Sequence, residues 1–290
     1  KRQLISTYNT KYQGYVKGNG DNAWAGSIAR GLENRSLKWE TTDTKNIGLD
    51  FGFFNNKLTG AMNYYYNQTE ELLITKALPP SAGLNNPILN VGKIRNSGVE
   101  VEINWADSKG GFDYNIGMNF STTKNKVVEL ADKGQVLYGE GLKYGTEHFP
   151  TQTRVGKPIG AFYLYKTNGL FQSNEEARQY VNADGDEYQP FADAGDIRYV
   201  DVNGDGYIDD DDKVYCGSGI PTLEVNLNFS AGYKGFDLSV VLGSAWGHKI
   251  YNGNKYFYEG MNSGSNFLTS SLNAWTPQNT NCLLYTSDAA

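Results

Sequence analysis

The strongest constraint on the fold of this chain is a strict alternation of apolar and polar residues along pairs of segments joined by short turns. In residues 47–53 every second residue is apolar, and the same period continues in residues 58–66, after the turn Asn55-Asn56. A period of two predicts β-strands with one apolar face. Asparagine tolerates the positive φ angles that a tight hairpin requires. The two segments are therefore predicted to form a hairpin.

Two further pairs of segments follow the same pattern. Residues 99–105 and 112–121 flank a glycine-containing turn, and residues 223–232 and 236–242 flank the turn Lys234-Gly235. Each pair again places apolar residues at every second position, so three hairpins are predicted. Six strands are fewer than the roughly eight that close a membrane barrel, and further strands are expected outside this chain.

Long connections are expected at 70–95, at 125–220 and from 247 onward. Short periplasmic turns and long extracellular loops are typical of outer-membrane barrels, and aromatic girdles mark their strand ends. Phe53, Phe54, Trp105, Phe112, Tyr233 and Phe236 lie near the turns, and Tyr64, Tyr65, Tyr66 and Trp246 lie toward the long connections. The sequence predicts an all-β fold, an antiparallel transmembrane β-barrel fragment with short periplasmic turns and long extracellular loops.

Composition and charge limit the alternatives. The mean hydropathy is −0.54 and the sequence has no run of eighteen apolar residues, which excludes a membrane-spanning helix. The formal net charge of −6 argues against nucleic acid as a general partner. The alternative from another class is a secreted, calcium-stabilised β-sandwich that binds carbohydrate as an adhesin or accessory module, because its strands alternate in the same way.

Residues 201–212 form the sharpest local motif, within a segment that carries eleven acidic residues against one arginine between 184 and 212. A calcium loop needs oxygen ligands at positions 1, 3, 5, 7, 9 and 12 and glycine at position 6, here Gly206. The predicted Ca²⁺ ligands are Asp201, Asn203, Asp205, the carbonyl of Tyr207, Asp209 and Asp212. Asp210 falls at a non-ligand position. An acidic turn without metal is the alternative.

The sequence contains no motif of a hydrolase, a zinc site or a phosphate-binding loop. No catalytic residue and no organic cofactor are therefore predicted, and the chain is not expected to be an enzyme. Tyr163, Tyr165, Phe171 and Tyr199 are candidates for a stacking platform for sugar or peptide, or for a small hydrophobic core within the long connection.

The two ends of the chain suggest its organisation. Residues 282–290 read like the in-frame translation of a sequencing-library adapter and are expected to be a non-native tail. Residues 1–281 are expected to be the C-terminal part of a barrel, with an extracellular excursion at about 125–220 that contains the calcium-like loop 201–212. The plug, the early strands and the terminal strand of such a barrel are expected to lie outside this chain.

Several short motifs resemble one known family. They lie, in the order of that family, at 37–42, 46–52, 98–100, 156–163, 195–199 and 235–239. Together they resemble the late barrel of SusC/RagA-type TonB-linked outer-membrane proteins, over residues 30–275.

The resemblance implies a function that periodicity alone does not. Members of this family are large barrels with an N-terminal plug that import glycans or peptides across the outer membrane with energy from TonB, beneath a SusD-like lipoprotein lid. The expected location is the cell outer membrane. The expected partners are outer-membrane lipid, a SusD-like surface lipoprotein, TonB through the N-terminal part that this chain lacks, and a glycan or peptide substrate, but no nucleic acid.

Overall fold

The computed structural model describes residues 34, 36–76, 81, 85–139, 141–144, 146–259 and 266–280, and four two-residue strands nearer the N-terminus. For 142–144 and 146–148 it describes the backbone alone. The predicted adapter-derived tail, 282–290, lies outside the described residues. None of the described helices has both the length and the apolar character needed to cross a membrane.

The chain divides into two compact units. The first unit comprises 1–135, 154–157 and 224–244, and the second comprises 136–153, 158–223 and 245–290. The long excursion predicted at 125–220 therefore supplies most of the second unit.

Strands account for most of the secondary structure. Up to residue 129 they are β1 (Tyr8–Asn9), β2 (Tyr15–Val16), β3 (Ala23–Trp24), β4 (Ile28–Ala29), β5 (Thr41–Phe53), β6 (Leu58–Thr75), β7 (Ile88–Lys109), β8 (Phe112–Thr122) and β9 (Lys124–Glu129). They continue as β10 (Leu137–Tyr138), β11 (Leu142–Tyr144), β12 (Thr146–His148), β13 (Thr151–Thr153), β14 (Ala161–Tyr165), β15 (Thr167–Leu170), β16 (Ile197–Tyr199), β17 (Lys213–Gly217), β18 (Leu223–Tyr233) and β19 (Phe236–Trp246). The helices are α1 (Asn174–Gln179), α2 (Gly253–Tyr258) and the 3-10 turns Asp210–Asp212 and Thr269–Asn273.

A seven-stranded sheet contains the three predicted hairpins. Its order is β19-β18-β8-β7-β6-β5, and β9 pairs with β7 beyond the end of β8. The turn between β5 and β6 places Asn55 and Asn56 at φ angles of 54° and 62°. Gly110 and Gly111 adopt 65° and 79° in the next hairpin. Asparagine and glycine supply the left-handed backbone that these turns need, and the hairpin predictions are confirmed.

Two strands are longer than predicted. β6 has 18 residues and β7 has 22, so the connection predicted at 70–95 begins only after Thr75 and ends before Ile88. The 125–220 excursion is also shorter, because 124–129 is strand. The extensions have polar residues on both faces and a register shift between Thr69 and Leu72, so the apolar period that reveals a strand is absent there.

The register sorts the strand residues into two faces. Directly opposed residues of an antiparallel ladder share a face, and Leu49 lies opposite Met62, Met62 opposite Val101, and Val101 opposite Phe120. The residue next to each of these along its strand points to the opposite face. These neighbours are mostly polar: Asp50, Ala61, Glu102 and Asn119. One face of the sheet is therefore apolar and the other polar, as the alternation predicted.

The second unit is built from small sheets around a short helix. Strands β10, β13, β14 and β17 form one sheet, and β15 and β16 form another. Helix α1 begins after Ser173, whose side chain accepts a hydrogen bond from the Glu176 N–H. Phe171, Ala177 and Ala192 form a buried cluster beside this helix, with Tyr180 packed against it.

Candidate functional site

The apolar face of the sheet is the largest candidate surface. Leu49 is 65% exposed, Met62 is 50% exposed and Leu242 is 57% exposed, and most residues of β5 and β19 are exposed on both faces. Soluble β-sandwiches bury one face of each sheet against another sheet. This face has no such cover among the described residues.

A groove lies near the turn ends of β7, β8, β18 and β19, with a volume of about 850 Å³. Its charged lining residues are Lys57, Asp107, Asp113 and Asp237, and Lys57 pairs with Asp107 at 2.7 Å. Serine and asparagine side chains, Tyr114, Leu238, two alanines and one glycine complete the lining. The lining is therefore mixed, with charged groups beside apolar ones.

Asp201, the first predicted calcium ligand, is held by backbone amides. Its Oδ1 accepts a hydrogen bond from Gly204 N–H at 2.6 Å, and its Oδ2 accepts one from Gly206 N–H at 2.9 Å and one from the Tyr188 hydroxyl at 3.4 Å. Burial alone would raise the pKa of Asp201, but these hydrogen bonds hold the pKa below its ordinary value. Burial and the Asp201 carboxylate raise the pKa of the Tyr188 hydroxyl.

The next predicted ligands form a chain of short contacts. The Asn203 side-chain Oδ1 accepts a hydrogen bond from Asp205 N–H, and its Nδ2 donates one to Asp205 Oδ2, both at 2.9 Å. Asp205 Oδ1 accepts from Tyr207 N–H at 2.9 Å. Asp209 Oδ1 accepts from Asp211 N–H at 2.8 Å and caps the 3-10 turn. The Tyr207 side chain is exposed.

Asp212 closes the loop and is fully buried. Its Oδ1 accepts from Val202 N–H at 2.7 Å and from Asn203 N–H at 3.3 Å, and its Oδ2 accepts from Asp209 N–H at 2.9 Å. The two ends of the loop are thus tied together by one carboxylate. A buried carboxylate needs such donors, because an uncompensated charge there costs several kcal/mol.

The loop is closed by hydrogen bonds from backbone N–H groups onto carboxylates. In the part of the chain that the structure describes, no three His, Cys, Asp or Glu side chains gather into a group able to hold a metal ion. The predicted calcium ligands are not a group of that kind, because they include the side-chain amide oxygen of Asn203 and the backbone carbonyl of Tyr207 beside four carboxylates. Carboxylate oxygens have further lone pairs beyond the bonds described, and hard oxygen donors suit Ca²⁺. The calcium site stays a prediction.

Asp210 has a structural role that the sequence did not reveal. Its Oδ1 pairs with the Lys213 ammonium at 2.7 Å and accepts from the Tyr165 hydroxyl at 3.1 Å, while its Oδ2 accepts from the Tyr138 hydroxyl at 3.5 Å. The Lys213 contact, the first of these, holds the pKa of Asp210 below its ordinary value. Asp210 therefore ties the acidic loop to strands β10, β14 and β17. Nothing in a run of four consecutive aspartates distinguishes this one, so the signal lies in the fold alone.

The four aromatic residues proposed as a stacking platform mostly form a core instead. Phe171 is fully buried against Tyr180, and Tyr163 is buried. Tyr165 and Tyr199 are half-buried, with ring centroids 5.3 Å apart. The platform interpretation is wrong for Phe171 and Tyr163, because a buried ring cannot stack on a ligand. The alternative, a small core within the excursion, agrees with the structure.

Comparisons with known proteins agree with this arrangement. Residues 3–276 match the family described as TonB dependent receptor-like, beta-barrel. TonB-dependent receptor P3 of Formosa agariphila is 31% identical over 281 residues, which cover 96% of this chain and 27% of that protein. TonB-dependent receptor SusC of Bacteroides thetaiotaomicron is 27% identical, over 82% of this chain and 22% of its own length. The chain thus spans about a quarter of these relatives.

A solved structure shows the same fold. The RagAB peptide transporter structure matches 97% of this chain and 28% of its own chain, with a TM-score of 0.68 and 22% identity. The resemblance inferred from the short motifs is confirmed, and the relatives are named as receptors rather than enzymes. The secreted β-sandwich alternative is not supported. The chain belongs to the TonB dependent receptor-like β-barrel family.

Proposed function

We propose that this chain forms part of the wall of an outer-membrane transporter that imports glycans or peptides. The observation that carries the proposal is the apolar face of the seven-stranded sheet, which stays exposed in Leu49, Met62 and Leu242. Each buried apolar Å² contributes about 25 cal/mol, so an uncovered face of this extent is unfavourable in water and favourable in lipid. The polar face then lines the interior.

Partners and energy supply follow from the relatives. We propose that TonB acts on the full-length protein through its N-terminal part, and that a SusD-like surface lipoprotein covers the end that carries the long connections. The matched RagAB transporter is named for peptide, and a SusC protein is among the relatives. The first name supports a peptide substrate, and a glycan substrate rests only on the resemblance of the short motifs to SusC/RagA-type proteins.

Extraction tests the proposed location. The full-length protein is expected to stay with outer membranes through washes with 1 M salt and with sodium carbonate at pH 11, whereas a peripheral or secreted module is released. Release in either wash contradicts the proposal. A strain that lacks the gene is expected to lose growth on one class of polymer, peptide or glycan, and unchanged growth on both contradicts a role in uptake.

Orientation is tested by cysteine labelling of intact cells. Asp184 lies in an exposed turn of the second unit, and Ser108 lies at the turn end of β7. In the full-length protein, Asp184→Cys is expected to react with a membrane-impermeant maleimide, and Ser108→Cys is expected to react only after the cells are broken. The reverse pattern contradicts the proposed topology.

We also propose that the loop 201–212 binds Ca²⁺ through the predicted set. Six acidic residues within twelve positions repel one another, by roughly 1–4 kcal/mol for each pair at 4 Å depending on the local dielectric, and a divalent cation removes that repulsion. The ion is expected to appear by anomalous diffraction from full-length crystals at millimolar calcium. Asp201→Ala is expected to lower calcium affinity sharply, while Asp211→Ala, which changes an exposed acid outside the set, is expected to change it little. If no ion appears there, the calcium proposal is contradicted and the loop is an acidic turn closed by hydrogen bonds.

A further inference from the structure

The apolar face of the sheet ends in a group of basic side chains at the end opposite the short turns. Lys45 lies two residues before Ile47 in β5, on this face, and opposite Tyr66. Arg95 lies opposite Gln68, which is two residues beyond Tyr66. Strand β9 extends the row, since Lys126 lies opposite Arg95 and Lys124 lies opposite Ser97. The basic cluster is defined as Lys45, Lys93, Arg95, Lys124 and Lys126.

Positive charge exceeds negative charge in the basic cluster. Lys45 pairs with Asp43 at 3.3 Å, and Lys93 pairs with Glu70 at 3.0 Å. Glu129 lies opposite Lys93 in the ladder. Five basic residues therefore face three acidic ones. Lys124 and Lys126 are exposed, and no carboxylate of the described residues lies within 4.0 Å of either ammonium.

Arg95 is held in place at the centre of the cluster. Its Nη2 donates to Gln68 Oε1 at 3.1 Å, and its guanidinium lies 5.1 Å from the centre of the Tyr66 ring. The Tyr66 hydroxyl donates to the same Gln68 oxygen at 3.0 Å, and the Gln68 amide donates to Glu70 at 2.7 Å. Arg95 Nε is itself buried and has no hydrogen-bond partner among the described residues. An ordered guanidinium is suited to an oxyanion through its terminal nitrogens.

The cluster lies at the depth of lipid headgroups. Along β8 and β9, Lys124 is twelve residues beyond Phe112, or about 40 Å of strand at roughly 3.4 Å per residue. A strand tilt of about 40° reduces this to about 30 Å along the membrane normal, just beyond an apolar band about 25 Å tall. Lysine and arginine at this level present their charges to headgroups while their stems lie along apolar surface.

The opposite end of the same strands has no comparable excess. On both faces together, the described basic residues near the turns are Lys57, Lys109 and Lys234, and the described acidic residues are Asp107, Asp113 and Asp237, three of each sign. On the apolar face itself, Lys109 lies opposite Phe112 and Asp107 lies opposite Tyr114, so that face has one charge of each sign within this hairpin. Only the end with the long connections attracts an anionic surface.

We propose that the basic cluster binds phosphate-bearing lipid headgroups of the leaflet at the long-connection end of the strands. The proposal rests on the proposed membrane location of the sheet. Lys124 and Lys126 supply ammonium groups that pair with no carboxylate in the described part of the chain, and Arg95 supplies a fixed guanidinium between β6 and β9. A lipid phosphate held on this face joins the barrel wall to one leaflet and fixes its height in the bilayer.

Binding of a fluorescent short-chain phosphatidic acid to the full-length protein, purified in zwitterionic detergent, tests the proposal. The variant Lys124→Gln/Lys126→Gln is expected to bind about tenfold or more weakly, since each basic residue near an anionic lipid surface contributes about one decade or less of affinity. The matched control, Lys109→Gln/Lys234→Gln, removes the same charge at the turn end and is expected to leave the affinity unchanged. The corresponding phosphatidylcholine, with no net charge, is expected to bind equally to all three proteins.

Other results overturn the lipid site. Equal affinity of the two variants for phosphatidic acid, or the same loss for phosphatidylcholine, contradicts phosphate recognition by the cluster. Displacement of the lipid by millimolar inorganic phosphate shows a site for the free ion instead. A protein that stays with the outer membrane through both washes but gives these results contradicts only the lipid site, whereas release in the washes contradicts the proposed function.

Discussion

The sheet of the first unit and the acidic loop of the second are stabilised in different ways. The sheet is a set of long hydrogen-bonded ladders, up to 22 residues in one strand, with side chains exposed on both faces of its outermost strands. The loop has almost no ladder, and side-chain carboxylates bonded to backbone amides shape its twelve residues. A polar side chain on the sheet can therefore be changed at small cost. A carboxylate in the loop cannot, because its hydrogen bonds take the place of a backbone ladder.

The largest expected effect comes from a charge on the apolar face of the sheet. Leu227 and Asn226 are neighbours in β18, and alternation sends their side chains to opposite faces. Leu227→Arg in the full-length protein is expected to cost roughly 2–4 kcal/mol near the bilayer midplane and to reduce the amount assembled in the membrane. Asn226→Arg, with the same charge on the polar face, is the control. Equal membrane yields of the two variants contradict the assignment of faces.

The next effect concerns the buried carboxylate of the loop. Asp212→Asn replaces one acceptor oxygen by an NH₂ group that meets backbone donors, which is expected to destabilise the loop by about 3 kcal/mol. Hydrogen exchange of the Val202, Asn203 and Asp209 amides is expected to accelerate about a hundredfold. Asp211→Asn, an exposed neighbour, is the control, and unchanged exchange in Asp212→Asn shows that these bonds do not hold the loop.

A smaller effect is expected at alkaline pH. Burial first, and then the Asp210 carboxylate, raise the pKa of the Tyr165 hydroxyl above its ordinary value. A group whose pKa is raised by folding contributes stability that is complete below its ordinary pKa of about 10 and is lost as the pH rises further. The near-ultraviolet circular dichroism of the full-length protein is expected to weaken above pH 10. Tyr165→Phe is expected to flatten this change, whereas Tyr207→Phe, at an exposed ring, leaves it as it was.

The smallest effect tests helix α1. Ser173→Ala removes the side-chain acceptor for Glu176 N–H and is expected to cost about 1 kcal/mol locally. Exchange of the Glu176 amide is expected to accelerate about fivefold, and Ser173→Asp, which keeps an acceptor at the cap, restores protection. An equal rate in all three proteins shows that the cap contributes nothing.

Sequence alone was sufficient for the parts of the fold that repeat. Alternation around Asn55-Asn56 revealed the β5/β6 hairpin because a half-apolar strand has a detectable period. It did not reveal the outer parts of β6 and β7, where both faces are polar: Gln68 lies opposite Arg95 on one face, and Asn67 lies opposite Asn96 on the other. The sheet of β10, β13, β14 and β17 was missed because strands of two to five residues are too short to show a period.

The candidate sites, too, were only partly predictable from the sequence. Spacing identified Asp201 and Asp212 as members of one loop, and the structure brings both onto its backbone. Spacing could not identify Asp210 as the residue that contacts Tyr165 and Lys213, because those contacts depend on how distant segments pack. The same holds for Lys124 and Lys126, which reach the row of Arg95 through a strand pairing that no local pattern indicates.

The outermost strands of the seven-stranded sheet have a practical consequence. Among the described residues, β5 and β19 pair on one side only, so each presents a row of backbone N–H and C=O groups along its other side. Long unpaired strands of this kind are templates for intermolecular pairing. The isolated segment is therefore expected to aggregate edge to edge on expression, with a cross-β spacing near 4.7 Å, before any ligand can be tested on it.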